Sequence, residues 1–102
     1  MSARRAGLVL LVALTACSPK ITPEQSRARE IMAVVSTQHP GATFGKVWAN
    51  GSWTCGRFTE GDAERGFLGQ TPGGVWIEGP DNALYYDRAW IKFCSAPKPA
   101  LF

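Results

Sequence analysis

The side chains best suited to chemistry in this sequence are three cysteines, Cys17, Cys55 and Cys94, and a single histidine, His39. A cysteine can act as a nucleophile, bind a metal ion or form a disulfide. None of the three lies in a Cys-x-x-Cys pair, and one histidine cannot build a histidine-based metal cluster. The sequence therefore predicts no metal site and no cofactor.

The segment before Cys17 is typical of an export signal. Arg4 and Arg5 form a short basic region, residues 8–14 are apolar, and small residues follow them. Crossing a bilayer takes roughly 20 apolar residues, so this run is too short for a stable transmembrane helix. Ser18-Pro19 and Pro23 separate the segment from the rest of the chain.

The four residues Leu14-Thr15-Ala16-Cys17 resemble the lipobox of bacterial lipoproteins at every position. The resemblance implies a diacylglycerol on the Cys17 sulfur, cleavage before Cys17 and acylation of the new amino group. Two or three acyl chains would anchor the protein to a membrane, where one alone binds only marginally. In the enterobacterial lipoproteins that this segment resembles, Asp after the cysteine favours the inner membrane, so Ser18 at that position implies the outer membrane. The alternatives are an ordinary secretory signal that happens to end in cysteine and a buried helix of a cytosolic protein.

We expect four segments along the chain. They are a lipoprotein signal peptide (1–16), the lipidated Cys17 with its tether (17–22), a small α+β domain (23–94) and a flexible tail (95–102). The precursor has a formal net charge of +3, and loss of Arg4 and Arg5 brings the mature chain close to neutrality. Since we see no basic face for nucleic acid and no run of like charge, we expect no nucleic-acid partner. The lipobox resemblance implies a membrane partner through the lipid.

The other two cysteines, Cys55 and Cys94, form an even pair in a small exported domain, which predicts a structural disulfide. The bond would close a loop of about 40 residues, and chain entropy then gives about 4 kcal/mol of stabilisation. That contribution is large, because a single apolar core is marginal in a domain of this size. A redox pair and a pair of metal ligands are the functional alternatives.

A helix from Pro23 to Gln38 is predicted by its first and last residues and by its apolar period. Thr22 and Gln25 can form a capping box around Pro23, and Pro40 disfavours helical backbone at the residue before it. The apolar positions that recur at helical spacing are Ala28, Ile31, Met32 and Val35.

Asn50-Gly51 lies between two strand-like runs and predicts a hairpin with a type I′ turn. A two-residue loop at that place would set Trp48 opposite Trp53. One face would then carry Phe44, Trp48, Trp53 and Cys55, and we expect this face to be the core side. Because Val47 and Phe58 would fall on the other face, the pattern also predicts a bulge near Gly45 or Gly56.

Two further strands, 66–70 and 75–78, are expected around the turn at 71–74, after an acidic turn at 59–64. Asp87 is expected to cap a last helix over 88–94. Alternating strands joined by tight turns favour antiparallel pairing. The predicted fold class is α+β, with an N-terminal helix packed on a three- to four-stranded antiparallel sheet and a short C-terminal helix tied by a disulfide.

This order of elements resembles a family of small exported bacterial proteins of unknown function. The motifs that carry the resemblance span roughly residues 27–94, and they are Ala42-Thr43-Phe44-Gly45-Lys46-Val47, Cys55-Gly56, Gly66-Phe67 and Trp90-Ile91-Lys92-Phe93-Cys94. The resemblance implies the same fold and a disulfide, and it supplies no activity. The chain departs from the family after Cys-Gly, where an Asn-rich stretch is common and Arg57-Phe58-Thr59-Glu60 stands here.

The sequence predicts no catalytic residues. Ser52, His39 and Asp62 could be written as a triad, but no nucleophile motif surrounds Ser52. We expect a non-enzymatic structural or accessory lipoprotein of the bacterial cell envelope, facing the periplasm.

The alternative function is an aromatic-rich binding module. Trp48, Trp53 and Trp76 could stack on peptidoglycan glycan or anchor an envelope protein. Two or more coplanar exposed rings on one sheet face would favour this binding role, whereas burial of the rings would favour the accessory role.

Overall fold

The computed structural model describes residues 20–96 and 98–102, and it confirms the α+β fold class. Its elements are α1 (Pro23–Gln38), β1 (Thr43–Asn50), β2 (Trp53–Glu60), β3 (Ala63–Gln70), β4 (Gly74–Ile77) and α2 (Ala83–Phe93). The strands form one antiparallel sheet in the order β1-β2-β3-β4. Cys17 and the predicted signal segment lie outside the described residues. Within 20–96 and 98–102, no helix is long and apolar enough to cross a bilayer.

Helix α1 has the bounds that its sequence predicts. The Thr22 hydroxyl accepts from the Gln25 N–H at 3.1 Å, and the Thr22 N–H donates to the Gln25 side chain at 3.0 Å, which completes the capping box. At the other end, the His39 N–H donates to the Val35 carbonyl. Local hydrogen bonds thus fix both ends of the helix.

The first hairpin has a different register from the predicted one. Asn50 pairs with Trp53, so the loop is Gly51-Ser52 and Trp48 lies opposite Cys55. The predicted Trp48–Trp53 pair and the type I′ turn at Asn50-Gly51 are therefore wrong. A type I′ turn there would need positive φ at Asn50, whereas Gly51, with φ of 61°, takes the first loop position as in a type II′ turn.

A β-bulge interrupts β1 between Phe44 and Val47, as the sequence predicts near Gly45. Phe44 pairs with Phe58, whereas Val47 pairs with Gly56, so the register shifts by one residue. The extra residue moves Phe44 to the same face of the sheet as Val47. Phe44 therefore does not share a face with Trp48, contrary to the prediction.

The sheet has a core on each face, where the sequence predicted one core side. The α1 core consists of buried Ala28, Ile31, Val35, Val47, Phe58 and Phe67. The α2 core consists of Trp48, Cys55, Leu68, Tyr86 and Cys94, flanked by Trp53, Ala89, Trp90 and Phe93. The face predicted as the core side is the one that carries the α2 core. Val47 and Phe58 are buried on the opposite face, because α1 covers them.

Helix α2 begins at Ala83, and Asn82, not Asp87, is the residue before it. The Asn82 side chain accepts from the Gly79 N–H at 2.9 Å and donates to the Ile77 carbonyl at 2.8 Å. These bonds turn the chain directly out of β4 into the helix. The observed helix extends across the face of the sheet that carries the α2 core, which a shorter helix over 88–94 could not do.

The predicted disulfide between Cys55 and Cys94 is confirmed, with a Cα–Cα distance of 5.8 Å. It joins the centre of the sheet to the residue after α2, and both cysteines are buried. Beside it, the Asn50 side-chain amide donates to the Phe93 carbonyl at 2.6 Å. The C-terminal end of α2 is therefore fixed to the first hairpin by a covalent bond and a hydrogen bond.

The tail, expected to be flexible, returns to the edge of the sheet. The Leu101 N–H donates to the Val47 carbonyl at 2.8 Å, and the Gln25 side chain donates to the Leu101 carbonyl at 2.6 Å. The Leu101 side chain packs on the α1 core. Because β1 is an edge strand, these contacts satisfy one of its exposed carbonyls.

Removal of the disulfide is expected to lower the free energy of unfolding steeply. For a sequence separation of 39 residues, loop-closure entropy gives a loss of about 4 kcal/mol. The paired variant Cys55→Ser/Cys94→Ser, compared with oxidised and reduced wild-type protein in urea titrations, measures this loss. An unchanged unfolding midpoint, or two titratable thiols at positions 55 and 94 of the oxidised native protein, would refute the bond.

Candidate functional site

The aromatic side chains between the sheet and α2 pack mainly on one another. Trp48 meets Trp90 edge to face, with ring centroids 5.6 Å apart, and Trp53 stacks on Phe93 at 4.1 Å. The stacked pair lies beside the disulfide, since Phe93 precedes Cys94. These rings fill the space between sheet and helix, and offset or edge-to-face pairs stabilise such packing.

The three tryptophans predicted as binding residues do not form an exposed platform. Trp48 is 8% exposed and belongs to the α2 core, Trp53 is half-buried under Phe93, and Trp76 is 44% exposed. The rings of Trp53 and Trp76 lie 5.8 Å apart but are tilted by 41°. The geometry thus lacks two coplanar exposed rings at these positions and favours packing over glycan stacking.

A groove of about 220 Å³ lies beside the β1 bulge. Its lining consists of Gly45, Lys46, Trp48, Arg57, Phe58, Thr59 and Glu64. Three of these residues are charged, and sequence reasoning did not predict any of the three as a site residue. The approach of these three side chains depends on the bulge and on the pairing of β2 with β3. The sequence predicts the bulge, near Gly45 or Gly56, but not which side chains it brings together.

Each charged side chain of this groove contacts another side chain of the protein. The Lys46 ammonium lies 5.3 Å from the Trp48 ring centroid, and the Arg57 guanidinium lies 5.3 Å from that of Trp90. Arg57 also approaches Glu64 at 3.7 Å. The lining contains no histidine or cysteine and one carboxylate, that of Glu64, so it offers no pair of carboxylates for paired acid–base chemistry.

His39 lies far from Ser52, with which it could have formed a triad. Its Nδ1 is 3.0 Å from Glu60 Oε1 at the end of β2, whereas Ser52 precedes β2 and accepts from the Gln70 side chain at 2.6 Å. The hydrogen bond from His39 is the main cause that holds the pKa of the Glu60 carboxyl below its ordinary value. His39 therefore joins the end of α1 to the sheet.

Potential metal ligands remain dispersed. Among residues 20–96 and 98–102, no three histidine, cysteine, aspartate or glutamate side chains come close enough to hold a metal ion. Glu60, Asp62 and Glu64 lie around the turn between β2 and β3, where solvent reaches them.

Tyr86 lies in the α2 core against the backbone of Gly66, in the space where another residue would carry its Cβ. Its hydroxyl is buried and has no hydrogen-bond partner among residues 20–96 and 98–102, as is also true of Trp48 Nε1. Burial is the main cause that raises the pKa of the Tyr86 hydroxyl, and the Glu78 carboxylate adds to it. An unpartnered buried hydroxyl costs about 1–3 kcal/mol, so this position is packed for shape rather than for hydrogen bonding.

Comparison with known proteins returned no match, whether against protein-family models, curated proteins or solved structures. The resemblances noted from short motifs therefore stay predictions, and the argument about function depends on the chain's own residues.

The contact between Gly66 and Tyr86 predicts that substitutions at these two positions have strongly non-additive effects on the free energy of unfolding. Gly66→Ala should lower the free energy of unfolding by about 2 kcal/mol, since the new methyl group would overpack the Tyr86 hydroxyl. Tyr86→Phe should be close to neutral, because it removes an unpartnered group, and it should recover at least half of the loss in the double variant. Urea titration of the four proteins measures the cycle.

Gly45→Ala is the matched control for Gly66→Ala. A Cβ at Gly45 would meet only the Arg57 carbonyl, at an ordinary 3.6 Å. We expect this variant to stay within about 0.5 kcal/mol of wild type. Additive effects of Gly66→Ala and Tyr86→Phe would contradict the proposed contact.

Proposed function

We propose that this protein is a lipid-anchored lipoprotein of the bacterial cell envelope, which faces the periplasm and has a non-enzymatic structural or accessory role. One observation carries the proposal most directly. Cys55 and Cys94 are bonded to each other, which leaves Cys17 as the one cysteine of the chain for a different chemistry. That cysteine ends the motif Leu14-Thr15-Ala16-Cys17, which resembles a lipobox.

The proposed compartment agrees with the chemistry of the domain. Disulfides form and persist in oxidising environments such as the bacterial periplasm, and they are rare in the cytosol. The residue after Cys17 is Ser18 rather than Asp, which supports the outer membrane over the inner one.

The accessory role is supported by the packing contacts of the side chains that were candidates for binding or catalysis. The Trp48 and Trp53 rings pack against α2, and His39 pairs with Glu60 at the end of α1. A binding module for a protein partner or peptidoglycan glycan is the weaker candidate, because of its three predicted aromatic residues only Trp76 is exposed.

Lipidation of Cys17 is the direct test. Mass spectrometry of the protein purified from bacterial membranes should show a mature chain that begins at an acylated Cys17. The variant Cys17→Ser should leave the membrane fraction, because the anchoring acyl chains would be absent.

Cys55→Ser/Cys94→Ser is the control for this experiment, since it also removes thiols but should keep the lipid. Unchanged membrane attachment of Cys17→Ser after a high-salt wash, or an unmodified residue 17, would overturn the anchor.

A further inference from the structure

Different segments of the chain lie at the two ends of the sheet. The tether end, as we define it, holds residues 20–22, the start of α1, the turns at 51–52 and 71–74 and the C-terminal end of α2. It also holds the tail residues 98–102, because the Leu101 carbonyl accepts from the Gln25 side chain at the start of α1. Hydrogen bonds join these parts: Gln70 to Ser52 at 2.6 Å and Asn50 to the Phe93 carbonyl at 2.6 Å. The distal end holds the β2–β3 turn and residues 78–82, with the His39–Glu60 pair at 3.0 Å closing it against α1.

Charge is divided between these two ends. Basic residues at the tether end and in the first two turns of α1 are Lys20, Arg27, Arg29, Lys92 and Lys98, against the acidic Glu24 and Glu30. Acidic residues at the distal end are Glu60, Asp62, Glu64, Glu78 and Asp81, against the basic Lys46, Arg57 and Arg65. The near-neutral domain is therefore an electric dipole with its positive side at the tether end.

The tether end also exposes large apolar side chains. Ile21 is 53% exposed, Trp76 44%, Ile91 68% and Phe102 58%. Trp76 contacts Trp53 at the start of β2, and Phe102 lies 5.7 Å from the Arg29 guanidinium. Aromatic and aliphatic side chains flanked by lysine and arginine are typical of surfaces that enter the headgroup region of a bilayer. Leu84 and Tyr85, exposed at the start of α2, lie outside this surface.

The covalent chain limits how far this end could move from an anchor at Cys17. Lys20 follows Cys17 by three residues, and three residues span at most about 11 Å. If Cys17 carries lipid, the basic and apolar side chains of the tether end therefore come within reach of the lipid headgroups. For the acidic distal end to face the membrane, the tether would have to run along the whole length of the sheet, which is farther than three residues can span.

We propose that the tether end is a membrane-contact surface that binds anionic phospholipid headgroups through Lys20, Arg29, Lys92 and Lys98. The proposal deepens the proposed lipid anchor, on which it rests for its orientation: the acyl chains hold the protein to the membrane, and this surface sets which way the domain faces. Its charge pattern is a property of the folded domain with or without lipid.

Vesicle binding of the mature chain without its lipid tests the surface alone. Residues 17–102 with Cys17→Ser contain every described element and can be sedimented with vesicles of phosphatidylcholine, pure or with 30% phosphatidylglycerol. We expect binding to the phosphatidylglycerol vesicles only, and its loss at high salt, because screening weakens attraction between exposed charges. Each lysine near an anionic surface contributes about 1 kcal/mol, so Lys92→Gln/Lys98→Gln should weaken binding by about 30-fold.

Arg65→Gln/Arg88→Gln is the matched control, since it removes the same charge from outside the tether end and should change binding by less than about threefold. Equal binding to both vesicle types, no binding to either, or an equal loss in the control would overturn the proposal. Failure here leaves lipidation of Cys17 intact, and failure of lipidation leaves this binding unchanged, so the two proposals fail separately.

Discussion

The structure depends on covering both faces of a thin sheet. Strand β2 alternates Cys55 and Trp53 on one face with Phe58 and buried Thr54 on the other, so neither face can be left to solvent. Helix α1, with 16 residues, covers the first face by direct packing. Helix α2 has 11 residues and covers the second face through large rings and the Cys55–Cys94 bond. The bond replaces burial that so short a helix cannot provide by itself.

Glycines in the sheet let both helices approach it. A side chain at Gly69 would meet Ile31 of α1, and one at Gly66 would meet Tyr86 of α2. These two glycines lie on opposite faces of β3, so the same strand accepts a helix on each side. The buried rings and the two bonded cysteines of this domain therefore serve packing.

Local signals in the sequence predicted much of this fold. The capping box at Thr22 and Pro40 after the helix gave the bounds of α1, and the even pair of cysteines predicted the disulfide. The predicted register of the first hairpin is wrong because it places Asn50-Gly51 in the loop, whereas Gly51 is the first loop residue. The predicted core side, with Trp48, Trp53 and Cys55, is the face that α2 covers, whereas the separate α1 core around Val47 and Phe58 is not predicted. Helix α2 is longer than predicted because it begins after Asn82 and not after Asp87. The groove could not be predicted, since it depends on which residues the bulge brings beside β3.

Native-state hydrogen exchange on the oxidised and reduced protein tests the central claim, that α2 is a separate layer held by its disulfide. We expect reduction to remove the exchange protection of α2 amides, such as those of Tyr86 and Trp90, while α1 amides stay protected. The reason is that local unfolding can release one layer alone. Undiminished protection of α2 after reduction would contradict the claim. So would an equal loss in both helices, because the two cores would then unfold as one unit.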